Sequence, residues 1–142
     1  MLLFALKEHD VAEYHYRFFR HLAALLADKW ESDATTKYLG ILRDELTATV
    51  HGEVDEESWQ AKQTLLRRQN SVKKESGPFM DYARLSFVDT LTLYLHGICC
   101  DIDVDTGPRQ LPSRYLRKRL LLLEELFAPP PGYAVFPEQL EA

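Results

Sequence analysis

Cysteine is nearly absent from this 142-residue chain, and the two present, Cys99 and Cys100, are neighbours. A disulfide between adjacent residues is strained, and no second pair completes a four-ligand zinc site, so a staple framework and a zinc ribbon are both excluded. Two reduced thiols fit a reducing compartment. No apolar run approaches the roughly 18 residues that a membrane span needs. The opening Met1-Leu2-Leu3-Phe4-Ala5-Leu6 has no basic flank and is too short for a secretory signal. The expectation is a cytoplasmic protein with no membrane partner. Basic excess is also missing: 22 acidic residues face 17 basic ones, for a net charge of -5. That argues against a general nucleic-acid binder, which needs a concentrated positive surface.

Recognisable chemistry is scarce too. Phosphate-loop and dinucleotide glycine patterns do not occur, nor does a Gly-x-Ser-x-Gly elbow or His-Glu-x-x-His. There is no internal repeat and no low-complexity tract.

What remains is a globular composition, 46% hydrophobic and 27% charged, in a chain long enough for one ordinary core. Apolar residues recur at helical spacing in five segments. The first spans about 8–30, with Val11, Tyr14, His15, Phe18, Leu22 and Leu25 as its stripe, widened by Phe19 and Leu26. Glu13 and Arg17 form a favourable i,i+4 pair on its other side. The second, about 33–50, carries Tyr38, Leu39, Leu42 and Leu46, and His51-Gly52 stops it. The third, about 55–71, is largely polar, with Trp59, Leu65 and Leu66 as its anchors, so it is predicted to lie outside. Its acidic start and basic end suit the helix dipole.

The fourth segment, about 79–99, is apolar on two sides and is therefore predicted to be central. One face carries Met80, Phe87, Leu91, Tyr94 and Ile98; Tyr82, Leu85 and Leu93 lie opposite. The fifth, about 112–127, bears Leu116, Leu120, Leu123 and Phe127, and Pro129-Pro130-Pro131-Gly132 ends it. The fold class expected is therefore all-α: a bundle of about five helices in one domain over 1–128, followed by a Pro-rich C-terminal tail over 129–142.

Three groups of residues invite a functional reading. Asp101, Asp103 and Asp105 alternate along a loop as calcium ligands do, but Thr106 stands where an EF-hand turns on glycine. Pro112 stands where its bidentate glutamate belongs. A solvated acidic loop is the plainer account. The same loop runs into Arg114, Arg117, Lys118 and Arg119, which crowd the start of the fifth helix against its dipole, with Glu124 and Glu125 toward the end. Pairing with the aspartates, an anionic ligand or a partner surface would each explain that inversion. Asp101, Asp103, Asp105, Arg114, Arg117 and Lys118 are the candidate partner-binding residues.

The second group is the line Tyr82, Asp89, His96. Its members stand two turns apart, about 10.5 Å along the axis, so none can touch the next. Asp89 and His96 with His9 and Glu13 form the candidate set for a helical enzyme or metal protein, and His51 has Glu53 nearby, but the Glu-x-x-His pairs such sites use do not occur. His15 is expected to be a core histidine. The third group, Lys62, Arg67, Arg68, Lys73 and Lys74, is a basic tract that a nucleic-acid-associated regulator would use; it coincides with the helix end where positive charge is stabilising anyway.

No cofactor, metal or catalytic residue is predicted, and the balance leans away from an enzyme. The function expected is a small protein-binding module, such as an adaptor, an inhibitor or a toxin-neutralising immunity-type protein, acting through its charged surface on another protein.

Overall fold

A computed structural model describes residues 11–29, 32–68, 77–99 and 108–140. The described chain is all-helical: α1 (Val11–Ala27), α2 (Ser32–Thr47), α3 (Glu56–Arg67), α4 (Gly77–Cys99) and α5 (Ser113–Leu126), with a 3-10 turn at Pro137–Gln139. Strands are absent among the described residues, where the only ladder contact is one isolated parallel bridge between Glu53 and Gln110.

The fourth helix is central, as its two-sided apolar pattern predicts. Helices α1 and α3 pack on α4, and α2 and α5 pack on each other and on α4. Phe79, Tyr82, Ala83, Phe87, Val88, Leu91 and Tyr94 are all buried on it, so its buried apolar surface wraps about two thirds of the helix. Tyr38, Leu39, Leu42 and Leu46 of α2 meet it from one side, and Leu122 and Leu123 of α5 complete the same core. Two threonines inside α4 bond within their own helix, Thr90 to the Ser86 carbonyl and Thr92 to that of Val88, both at 2.7 Å. Their hydroxyls thus enter the core without an unmet hydrogen bond.

Two packing expectations are corrected. The stripe of α1 is rotated by more than a third of a turn from Tyr14, Phe18, Leu22 and Leu25. Ala23 is fully buried, Tyr16, Phe19, Arg20 and Leu26 share its side, and Phe18 and Leu25 are 42% and 55% exposed. Polar contacts decide this. Arg20 is drawn inward by Asp89, and the Tyr16 hydroxyl donates to Asp55 at 2.6 Å. Ala23, having almost no side chain, lets the two helices approach. His15, expected in the core, is exposed.

Helix α3 does present a largely polar surface, but its buried set differs from the anchors expected. Leu65 is buried and Leu66 exposed, while Ser58 and Lys62 go into the core. Its start is fixed by Asp55, which accepts from the Glu56 amide at 2.7 Å, and by Asp89 of α4, which accepts from the Ser58 amide at 3.1 Å. One buried carboxylate therefore caps α3 and holds α1.

Beyond α5 the chain returns to the domain surface. Phe136 is buried under the Arg117 guanidinium, 4.0 Å from its ring centre, and Gln139 donates to Glu124 at 2.7 Å.

Candidate functional site

The most concentrated chemistry in the molecule is a polar hub inside the core. Arg119 of α5 is fully buried and uses every N–H it has. Its Nε and Nη2 reach the Glu45 carboxylate of α2 at 3.0 and 2.5 Å. Nη1 and Nη2 reach Glu53 at 2.9 and 2.7 Å, and Nη1 also donates to Ser86 at 2.9 Å. Glu53 accepts further bonds from the Tyr82 hydroxyl and from the Val54 amide at 2.9 Å. Tyr38 closes the other edge, its hydroxyl 2.8 Å from Ser86 and 3.0 Å from Thr90. Lys62, equally buried, donates to the Gly52 carbonyl at 2.8 Å.

Backbone geometry aims Glu53 into this hub. The connection between α2 and α3 lies beside residues 109–111: the Glu53 amide donates to the Arg109 carbonyl at 2.8 Å, and the Leu111 amide to the Glu53 carbonyl at 3.0 Å. That approach is close enough that a Cβ on Gly52 would sit 2.2 Å from the Gln110 oxygen, and Gly52 has φ +91°. Glycine is required there on both counts.

The electrostatics follow from burial and pairing. Burial works against the charges of both Glu53 and Arg119, yet their mutual attraction and hydrogen bonds win. The Glu53 carboxyl titrates below its ordinary range and Arg119 stays charged. Lys62 is pushed down, chiefly by burial, with Glu53 opposing the shift. Burial raises Tyr38 to about 12, so its phenol stays a neutral hydrogen-bonding group. Two carboxylates and two cations thus balance out of reach of water. With every Arg119 donor used internally, the hub ties α2, α4, α5 and the α2–α3 connection together and offers no donor of that guanidinium to a substrate.

Only one member of the hub, Arg119, lies among the basic residues singled out at the start of α5. The sequence does carry a signal for part of the rest. Arg119 falls three after Leu116 and four before Leu123, inside the apolar stripe of α5, and Glu45 falls three after Leu42 and beside Leu46, inside that of α2. Charges of opposite sign on inward faces point to a buried pair.

The remaining candidates are dispersed. Arg117 pairs with Glu138, Lys118 stands 3.8 Å from Asp44, and Arg114 lies over Tyr115; all three cations are exposed. Asp101, Asp103 and Asp105 fall outside the described residues, as do His9, Lys73 and Lys74. The Tyr82, Asp89, His96 line divides as its spacing requires. Tyr82 goes to Glu53, Asp89 to Arg20 and Ser58, and His96 stacks on Phe19 at 5.7 Å with His15 edge-on at 6.5 Å. Glu13 pairs with Arg17 instead. Among the described residues no three His, Cys, Asp or Glu side chains gather as metal ligands would. The basic tract loses Lys62 to the core and keeps Arg67 and Arg68 exposed.

Beside His96 and Phe19 an apolar groove of about 580 Å³ opens between α1, the end of α4 and the segment after α5. Phe19, Leu95, Ile98, Phe127, Pro130 and Tyr133 are among its walls. The Tyr94 hydroxyl, which also borders it, is committed to the Phe127 carbonyl. No helix among the described residues is long and apolar enough to cross a membrane. No protein-family model, curated protein or solved structure matches the chain.

Proposed function

We infer that the protein is a protein-binding module whose partner docks on the outer face of α5. The carrying observation is a division of labour among the cations at the start of that helix. Folding uses Arg119, which is buried between two carboxylates. It does not need Arg114 or Lys118, whose contacts are exposed and therefore worth about 0–1 kcal/mol each, while Arg117 covers Phe136 and pairs with Glu138. Arg114 nonetheless stands in the first turn, at the positive end of the helix dipole, and Pro112 supplies no side-chain cap to offset it.

A cost kept without a folding return is explained by a binding return. Arg114, Lys118 and Leu121 share one strip of α5 at i, i+4, i+7, with Arg117 alongside, and Leu121 is 46% exposed. An apolar side chain framed by three cations suits an acidic protein surface with a shallow apolar socket.

The test is affinity capture on immobilised protein across a salt series, run in parallel with an Arg114→Glu/Lys118→Glu variant checked for native helicity. The proposal requires a stoichiometric acidic protein retained at low salt, released as salt rises and missing from the variant. Equal retention by the variant, or no salt-sensitive protein at all, removes the α5 face as the binding surface.

A further inference from the structure

We propose that α1 is a self-association element through which two copies of the chain pair antiparallel, independently of the α5 surface. The side of α1 turned away from α4 carries two large apolar residues, Phe18 and Leu25, among the exposed His15, Arg17, His21 and Asp28. Phe18 and Leu25 are 42% and 55% exposed, and Leu22 is half-buried beside them. Phe18 and Leu25 are seven residues apart, which keeps them within about 20° of one line along the helix. That is the spacing of a helix-pairing seam.

The charges beside the seam say what covers it. Arg17 and Asp28 stand eleven residues apart, so they fall within about 20° of each other on one flank of the seam. Both are exposed, with side chains 45% and 61% accessible. When two identical helices pair antiparallel about a two-fold axis, like flanks meet and the sequence runs in opposite directions. Placing Phe18 against Leu25 of the second copy puts the axis between His21 and Leu22. Arg17 then lies within about 3 Å, along the axis, of Asp28 of the second copy, and the symmetry repeats the pair. A hetero-partner would need no such self-matching order of charges. The present pairs of these residues, Arg17 with Glu13 at 2.6 Å and Asp28 with Arg84 at 2.8 Å, are exposed and leave the carboxylates room for a second donor.

One helix laid on its copy covers less than the roughly 800 Å² per partner of a standard interface. Association is therefore weak, reversible and driven by concentration.

Sedimentation equilibrium over about 10 μM to 1 mM tests this. The weight-average mass of the full chain is expected to climb toward twice the monomer value, and Leu25→Asp to hold it at the monomer value throughout. The decisive arm uses two charge swaps. Arg17→Asp and Asp28→Arg each put like charges opposite one another twice in a homodimer, so each alone stays monomeric. Mixed in equal amounts they restore both pairs and form a heterodimer. Circular dichroism verifies that each variant is folded. A wild-type chain that stays monomeric at the highest concentration overturns the proposal. So does a dimer indifferent to Leu25→Asp, or a mixture no more associated than its parts. If removal of residues 1–10 converts a monomeric chain into a dimer, the natural cover of this face is the chain's own leading segment, and the proposal falls to that alternative.

Discussion

Replacing Arg119 with methionine keeps most of the side-chain volume and deletes its charge, which makes it the sharpest probe of the buried hub. Glu45 and Glu53, 2% and 1% exposed, would lose the guanidinium that answers both of them. Lys62 does not take its place, because its ammonium is turned to the Gly52 carbonyl. Removing one partner of a buried ion pair typically costs about 3–5 kcal/mol. Domains of this size are stable by about 5–15 kcal/mol, so the variant should fold but sit near the edge. With a urea slope of about 2 kcal/mol per M, the midpoint should fall by about 1.5–2.5 M.

The pH dependence carries the stronger discrimination. In the wild type the Glu53 carboxyl titrates below its ordinary value of 4.5. Its contribution is therefore fully present above that value and is lost as pH falls through the folded one. In the variant the Glu53 carboxyl loses the largest influence that opposes its burial and keeps the Tyr82 hydroxyl and the Lys62 charge, so its titration moves up and acid relieves the variant. The difference in urea midpoint should thus be large at pH 7 and shrink toward pH 4.5. A midpoint change below about 0.5 M at pH 7, or a gap that does not narrow with acid, would refute the claim that Arg119 holds two ionised carboxylates in the core. Arg119→Lys should rescue little, since a point charge cannot fork to both.

Three further outcomes follow from neighbouring geometry. Gly52→Ala combines a positive φ with a Cβ 2.2 Å from a backbone oxygen, so it should cost about 2–4 kcal/mol and lower the melting temperature by roughly 10 °C, read by thermal denaturation. Asp89→Asn keeps an acceptor for the Ser58 amide and removes a charge that burial already disfavours, its pKa being raised; at pH 7 it should cost under about 1 kcal/mol, whereas Asp89→Ala, which removes the Ser58 acceptor and leaves Arg20 only its exposed pair with Glu57, should cost about 2–3 kcal/mol in urea unfolding. His96 is held below its ordinary 6.5 by burial and by His15, so the stability it lends is present above 6.5 and lost as pH falls through the lowered value; between pH 7.5 and 5 the melting temperature of His96→Phe should decline less than that of the wild type.

The helices and the central place of α4 were legible in the sequence because periodicity and composition agree there. Phe79 to Tyr94 bury apolar side chains around about two thirds of the helix, which is more than a surface position can cover. The same tool fails on α1, where it selects Phe18 and Leu25. Hydrophobic periodicity reports only that a stripe exists, not which way it faces. On α1 the facing is set by Arg20 with Asp89 and Tyr16 with Asp55, contacts 69 and 39 residues apart in sequence. No local pattern encodes them. The hub is half-hidden for a related reason: the stripes of α2 and α5 place Glu45 and Arg119 inward, but that Glu53 and Lys62 join them emerges only when four chain segments meet.

That failure is itself informative about function. On α1 the packed side takes Ala23, Phe19 and Leu26 together with Arg20 and Tyr16, so Phe18 and Leu25 of the expected stripe are left unused by folding. Leaving Phe18 and Leu25 in water gains the monomer nothing, since Arg20 and Tyr16 already fix the helix against α4 and the start of α3. The same logic separates Arg119 from Arg114 and Lys118 on α5, where one cation serves the core and two of its neighbours do not. On both helices the surplus left after folding is the part that binding must account for. Charge swaps at Arg17 and Asp28 address one surplus, and reversals at Arg114 and Lys118 the other, without touching the hub that holds the fold together.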